Sequence, residues 1–409
     1  MNNPLGQAPL LSMSLGEVRE STSSTEVSLQ KTLQAIRKHL NLEVAFISRI
    51  EGNQRSLELV DKADDDLPVN AGDNGPCEDS YCQRVIDGRL PELIHNAQQV
   101  PEALRLEATQ RLPIGAHLSV PIRMPDDSIY GTLCCFDRQP DATLNSRDLA
   151  MMHVFAEFAA DQLAHQDKQR QENRELTSRI NHVLEHGLLS CVFQPMHDLL
   201  NQRIAGYEAL TRFNTTPQRS PDKWFKEAAR VGLQETLEVT AIQHALEHFP
   251  CLPDSTYLSL NASPSTILSD RLREVLAPYP LDRLMLEVTE HDVVDDYTSL
   301  CQALSDLRAQ GLRVAIDDAG AGYASFRHIL ELAPDIIKLD KSLTRDIDSR
   351  PENQALAAAL VGFASKTRSR LIAEGVETQQ ELDTLKHIGV QKVQGYLLGK
   401  PGPLLYSGA

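Results

Sequence analysis

Between residues 190 and 399 the chain alternates short apolar runs of strand length with amphipathic segments of helical spacing. The runs cover residues 191–199, 204–213, 256–260, 284–288, 313–316, 336–339, 370–373 and 393–397. Helical segments such as 222–231, 236–247, 297–310 and 353–365 separate most of them. A strand followed by a crossover helix returns to the same sheet in parallel, so this alternation confines the region to an α/β architecture. Eight strands in about 210 residues is the size of a (β/α)8 TIM-like barrel. An open doubly wound sheet is the alternative, and it too would place ligands at its strand ends.

Each run ends in a polar group. Asn261 closes TYLSLN, Glu287 ends LMLE, Asp317 and Asp318 end RVAIDD, Lys338 lies in IIKLD, Glu374 ends RLIAE and Glu208 sits in GYEAL. Any one of these reads equally well as a turn former or helix cap. In a barrel, however, the C-terminal strand ends converge on one face, so the whole set would meet in one cavity. Carboxylates packed without counter-ions repel or take up protons. Oxygen ligands with no His or Cys among them select hard Mg²⁺ or Mn²⁺ over zinc. Asp317 and Asp318 point differently, which suits one of them to bridge a pair of ions, and Lys338 can neutralise charge developing on phosphorus. The residues alone thus imply a metal-dependent phosphoester hydrolase of unspecified substrate.

Composition narrows the partners. A formal charge of −17 repels nucleic-acid phosphates, so polymeric DNA or RNA is not expected, whereas a small phosphorylated ligand is. The seven cysteines show no CxxC pairing, which fits a reducing, cytoplasmic setting. The longest apolar run, near 355–364, is about half a membrane span, and the N-terminus lacks the pattern of a signal peptide.

Upstream, Leu29, Leu33, Ile36 and Leu40 keep helical spacing, strand-like runs follow at 45–49, 56–60, 117–123 and 130–136, and helical spacing resumes at 146. The pattern 147–189 is nearly continuous helix with a highly polar middle at 166–179, as a connector between domains would be. If Phe158, Leu163, Leu176, Ile180 and Val183 meet a second chain, the connector is also a parallel coiled coil and the protein a homodimer; a solvated linker in a monomer is the alternative. The expected organisation is a tail over 1–26, a sensor domain over 27–165, a helical linker over 166–189 and a barrel domain over 190–409.

Residues 190–403 resemble the EAL family of cyclic di-GMP phosphodiesterases. The resemblance rests on Glu208-Ala209-Leu210 within YEALTRF, with FQPMHDL, LSLNAS, LEVTE, AIDDAGAGYASF, IKLD, AEGVET and QGYLLGKP in order. It implies metal-dependent opening of cyclic di-GMP to linear pGpG. By that resemblance Glu208, Asn261, Glu287 and Asp317 hold one ion and Asp317, Asp318 and Glu374 a second. Lys338 holds the attacking water and Glu374 acts as base, with Glu377 and Gln394 completing the shell. Arg212, Gln194 and Leu210 face substrate, and Glu290 steadies the loop after Asp318. That loop reads Ala319-Gly320-Ala321-Gly322 where the family has FGTG, so a receptor that binds without hydrolysing is the alternative function.

Residues 27–165 resemble a GAF sensor domain, through DSYCQRVIDGRLPELI, LPIGAHLSVPIR and YGTLCCF. The resemblance names no ligand, and an unknown small molecule or a redox signal is expected there. Cys134 and Cys135, adjacent on a strand, should face opposite sides, most simply as packing residues. Cys77, Cys82 and His117 are candidate pocket residues. His291, His328 and His387 share no metal-ligand spacing and read as surface or capping residues, and Trp224 as helix packing.

Overall fold

The computed structural model describes residues 24–288, 294, 296–319 and 323–404, which leaves most of the expected tail outside it. The chain divides into two compact units, Met1–Gln171 and Glu172–Ala409.

The first unit is built on a six-stranded antiparallel sheet. Its strands β1 (Val44–Glu51), β2 (Gln54–Lys62), β3 (Asn74–Pro76), β4 (Leu93–Ile94), β5 (His117–Arg123) and β6 (Ile129–Phe136) take the order β3-β2-β1-β6-β5-β4. Both faces are covered, and the two-residue period of a strand sorts side chains between them. Ala45 and Ile47 join one apolar cluster with Leu29, Leu33, Ile36 and Leu40 of helix α1 (Ser24–Leu40). Val44 and Phe46 join the other, with Tyr81, Cys82 and Val85 of helix α2 (Tyr81–Ile86). Cys135 goes to the first cluster and Cys134 to the second, both fully buried, as alternation requires. A short helix α3 (Glu107–Arg111) follows in the long connection that leads to β5.

Helix α4 (Ser146–Glu185) runs unbroken for 40 residues, about 60 Å at 1.5 Å per residue. Met152, Ala156, Ala159, Ala160 and Leu163 bury against the sheet of the first unit. Ile180 and Val183 bury against Leu189, Phe213 and Trp224 of the second. The apolar positions proposed for a coiled-coil seam are therefore largely covered by their own chain. Leu163, Leu176, Ile180 and Val183 are at most 8% exposed, and of that set only Phe158 stays open, at 38%. Trp224 is a packing residue, 1% exposed and stacked on Phe213 at 4.9 Å.

The second unit is a closed barrel of eight strands: β7 (Leu189–Asp198), β8 (Arg203–Phe213), β9 (Tyr257–Asn261), β10 (Leu284–Val288), β11 (Arg313–Ala319), β12 (Ile336–Leu339), β13 (Arg370–Ala373) and β14 (Lys392–Val393). Two expectations need correction. The first strand is antiparallel to both neighbours, β8 and β14, because Leu199–Gln202 is too short for a crossover and instead forms a hairpin. There the Asp198 carboxylate accepts the N–H groups of Leu200 and Asn201. The last strand stops at Val393 and does not reach 397. The chain turns at Gly395, which packs so closely on Val376 that a Cβ would sit 2.1 Å from its carbonyl oxygen.

From β8 to β14 the remaining strand pairs are parallel. Helices α5 (Pro221–Arg230), α6 (Gln234–Glu247), α7 (Pro264–Ile267), α8 (Asp270–Leu276), α9 (Tyr297–Arg308), α10 (Tyr323–Leu332), α11 (Lys341–Thr344), α12 (Pro351–Thr367) and α13 (Gln379–Ile388) occupy the connections. Outward-facing strand residues such as Leu258, Leu260, Leu286, Val314 and Ile337 merge with these helices into one large apolar cluster.

Candidate active site

The barrel interior is layered by the same alternation. Met196, Tyr257, Met285, Ala315, Ile336 and Ile372 form an apolar plug in the middle. Two residues further toward the C-terminal ends of β9 to β13 stand Ser259, Glu287, Asp317, Lys338 and Glu374. The period of two thus lifts one polar group per strand above an apolar floor. Glu208 reaches the same level from β8, two residues after Gly206. That glycine is required by crowding, since a Cβ there would lie 2.6 Å from Tyr257.

Lys338 is the hub. Its Nζ is fully buried and lies 2.5 Å from Glu287, 2.6 Å from Glu374, 3.0 Å from Asp317 and 3.6 Å from Glu208. Burial alone would strip this ammonium of its proton, but the carboxylates of Asp317, Glu208, Glu287 and Glu374 outweigh burial and hold it charged. One cation cannot balance four anions. Glu287, completely buried, has its pKa pushed up to about 8, first by burial and then by Glu208 and Asp317 against the pull of Lys338. Glu374 is raised for the same reasons.

The ligand atoms of Glu208, Glu287 and Asp317 all lie within 4.8 Å of one another, as do those of Asp317, Asp318 and Glu374, so Asp317 belongs to both triads. Consecutive strand residues ordinarily face opposite sides, and here the backbone resolves the conflict. The register of β11 against β12 shifts between Ile316 and Ala319, and Asp318 takes a left-handed φ of 53°, a region Asp enters more readily than most residues. Both carboxylates thereby reach the cluster. Burial, then Asp317 and Asp340, push the Asp318 pKa up to about 6. Asn261, at the end of β9, brings its amide nitrogen to 3.5 Å from Glu208.

These groups fit hard divalent cations. Asp317 Oδ1 and Glu374 Oε1 are buried and, among the described residues, meet the Lys338 ammonium as ion pairs and accept no hydrogen bond. Buried oxygens with unused lone pairs and excess negative charge are a donor set for Mg²⁺ or Mn²⁺.

Other expected residues vary in placement. Gln394 donates to Glu208 at 2.6 Å and to Gln194 at 3.1 Å, and Gln194 in turn donates to the Gly399 carbonyl at 3.2 Å. Arg212 and Leu210 are half-buried on β8, where Arg212 donates to the Thr211 carbonyl at 2.9 Å. Glu377 is exposed and not gathered into the cluster; its backbone N–H is held by Glu381. Glu290 and His291 lie outside the described residues, as do Gly320, Ala321 and Gly322 of the altered loop, whereas Ala319 is buried in the main core. Contrary to expectation, His328 is buried, 3% exposed, with its Nδ1 at 2.7 Å from the Tyr297 hydroxyl. His387 is exposed.

Sequence reasoning passed over three supports. Ser259, fully buried, donates to Glu287. Asp340 stands beside Asp318 and helps to raise its pKa. Glu381 caps α13 and accepts the N–H groups of Asp346, Glu377 and Thr378, tying down the turn after Glu374. Only Ser259 had a visible signal, its position two residues before Asn261 on one strand.

The EAL domain family model matches residues 177–401, more than half of the chain. The chain belongs to the EAL family. The GAF domain model matches residues 24–163. A cyclic di-GMP phosphodiesterase of Pseudomonas aeruginosa is 32% identical over 223 residues, covering 51% of this chain and 38% of the relative. The cyclic di-GMP phosphodiesterase PdeF of Escherichia coli K12 is 28% identical over 242 residues, covering 56% of this chain and 32% of the relative. The EAL chain thus spans well under half the length of these curated relatives. Among solved structures, the PaMucR phosphodiesterase in complex with c-di-GMP superposes with a TM-score of 0.51 at 25% identity, covering 56% of this chain and 98% of that one. The EAL enzyme Bd1971, bound to cAMP and cyclic di-GMP, covers 88% of this chain and 91% of its own at a TM-score of 0.56; at 18% identity it supports the fold alone. No described helix is long and apolar enough to cross a membrane.

Proposed function

We propose that the barrel hydrolyses one phosphodiester of cyclic di-GMP to linear pGpG with two Mg²⁺ or Mn²⁺ ions. The observation that carries this reading is the pair of carboxylate triads sharing Asp317 around a buried lysine. Glu208, Asn261, Glu287 and Asp317 would hold one ion, and Asp317, Asp318 and Glu374 the other. Such ions, when bound, acidify water and stabilise a leaving oxygen.

The chain's own groups supply the rest. Glu374, whose buried Oε1 accepts no hydrogen bond among the described residues, takes the proton of the attacking water. Lys338, held charged, orients that water and balances charge developing on phosphorus. Arg212 makes a single hydrogen bond among the described residues, to the Thr211 carbonyl, so its fork retains donors for a substrate phosphate. Gln194 and Gln394 fix the Glu208 carboxylate at the wall of the site.

In the same reading the first unit is a cytoplasmic input that regulates the barrel, and two chains pair along α4. Val154 and Phe158, four residues apart on that helix and 63% and 38% exposed, support the pairing. The test is chromatography of cyclic di-GMP incubated with the full chain in Mg²⁺, Mn²⁺ or chelator. Metal-dependent appearance of pGpG is expected; intact substrate in every condition, with binding retained, would make the barrel a receptor instead.

A further inference from the structure

In the first unit, Cys82 of α2 and Cys134 of β6 are 52 positions apart in sequence, yet their Sγ atoms lie 3.9 Å apart. Both are fully buried. Three hydroxyls line the pair. Ser48 Oγ donates to Cys82 Sγ at 3.5 Å, while Ser119 Oγ and Thr132 Oγ1 lie 3.1 and 3.0 Å from Cys134 Sγ. Ser48 and Thr132 are themselves joined at 2.8 Å.

Hydroxyl donors are what a sulfur anion needs in an apolar core. The S–H of Cys134 lowers the Cys82 pKa well below the ordinary thiol range; burial opposes this, and Arg55, Ser48 and Thr132 assist. Cys134 is raised correspondingly, chiefly by burial. Cys135 is a built-in contrast. It is equally buried, but its Sγ faces only the Met152 sulfur at 3.8 Å, and burial raises its thiol far above the usual value. Two thiols lined by hydroxyls, with sulfurs about 2 Å from bonding distance, are a preorganised dithiol and not merely small-residue packing.

We propose that Cys82 and Cys134 form a reversible disulfide in response to hydrogen peroxide, making the first unit a site of oxidative modification. Cys82 ionises, and its thiolate attacks the peroxide O–O bond, giving a sulfenic acid at Cys82 and hydroxide, which takes up the proton that Cys82 released and becomes the first water. The Cys134 sulfur then attacks Cys82 Sγ; the S–S bond forms, the S–O bond breaks, and the departing hydroxide leaves as water with the Cys134 proton. In total two thiols lose two electrons and two protons, and one peroxide becomes two waters. Peroxide is neutral and close to water in size, and local opening of the six-residue α2, which carries Cys82, would admit it. The product bond staples α2 to the sheet.

The test uses the full chain at pH 7, exposed to peroxide, quenched, unfolded, blocked with N-ethylmaleimide and digested with trypsin without reductant. Trypsin leaves Cys77 with Cys82 in residues 63–84, and Cys134 with Cys135 in residues 124–138. The two peptides should appear linked, with one maleimide on each from Cys77 and Cys135, two hydrogens lighter than the sum of the two singly labelled peptides, and separate in dithiothreitol. The link should persist in Cys77→Ser and Cys135→Ser and vanish in Cys82→Ser and Cys134→Ser. The proposal is overturned if both thiols of the oxidised wild type still take up maleimide, or if the link survives in Cys134→Ser through Cys135.

Discussion

Removing the central cation is the most direct test of the site's electrostatics. Lys338→Met keeps a flexible apolar stem and deletes the charge that sits 2.5 to 3.6 Å from four carboxylates. Breaking a buried ion pair by removing one partner costs about 3–5 kcal/mol, because the other partner is left buried and uncompensated. Here several partners are stranded, so the upper half of that range is expected in chelator at pH 8. Glu287, already pushed up to about 8, is the first to take up a proton, and by pH 5.5 protonation of the cluster is more complete than at pH 8 and relieves more of the repulsion. The loss should therefore be clearly smaller there. The only tryptophan, Trp224, is buried in the second unit, so its fluorescence reports barrel unfolding in urea without interference from the first. With a urea slope of roughly 3 kcal/mol per molar for a unit this size, 4 kcal/mol moves the midpoint by more than 1 M. Saturating Mn²⁺ should return most of the lost stability while turnover stays at least about 100-fold down. Equal midpoints for the variant and wild type in chelator at pH 8 would refute the account of Lys338 as the cluster's counter-ion.

Because burial pushes the Glu287 pKa up to about 8 in the metal-free barrel, Mn²⁺ binding near pH 7 should release a proton and tighten as pH rises toward 8; calorimetry in buffers of different ionisation enthalpy measures this. Glu208→Gln should lower turnover by at least about 100-fold and weaken Mn²⁺ binding, and normal turnover would remove Glu208 from the metal set. At the opposite pole of the barrel, Lys392 is 5% exposed over the Tyr257 ring, and burial, then Arg313 and Arg370, lower its pKa to about 8. A lysine depressed in the fold costs stability below pH 8 and ceases to do so as pH climbs toward its unfolded value. Lys392→Met should therefore stabilise the barrel by about 1–3 kcal/mol at pH 7, with the gain gone near pH 10.5; a gain that grows with pH would contradict this. Gly206→Ala should destabilise the barrel by several kcal/mol in the same urea assay, because the new Cβ meets Tyr257 at 2.6 Å.

Much of the barrel could be read before any coordinates, because its strands are buried and therefore written as apolar runs ended by polar residues. The ranges 284–288, 336–339 and 370–373 coincide with β10, β12 and β13. Reading failed where local pattern carries no direction. An apolar run looks the same parallel or antiparallel, and the short gap between the runs 191–199 and 204–213 was the sign of the hairpin. The run at 393–397 looked like a strand, but Gly395 against Val376 bends it away.

Sequence alone determined the chemical alphabet of the site: oxygen ligands, one lysine, no histidine or cysteine among them, each placed at a strand end by a period of two. Only the tertiary structure decided which of these groups meet. It put Lys338 among four carboxylates, used the irregular backbone at Asp318 to bring two neighbouring aspartates to one cluster, and left Glu377 outside. It also set Cys82 against Cys134, while the adjacent cysteines of CC, which the eye pairs first, face opposite cores. The physical reason is the same in each case. Alternation along a strand is local and can be read from neighbours, whereas proximity between strands depends on register and closure, which are set by the packing of the whole barrel or sheet.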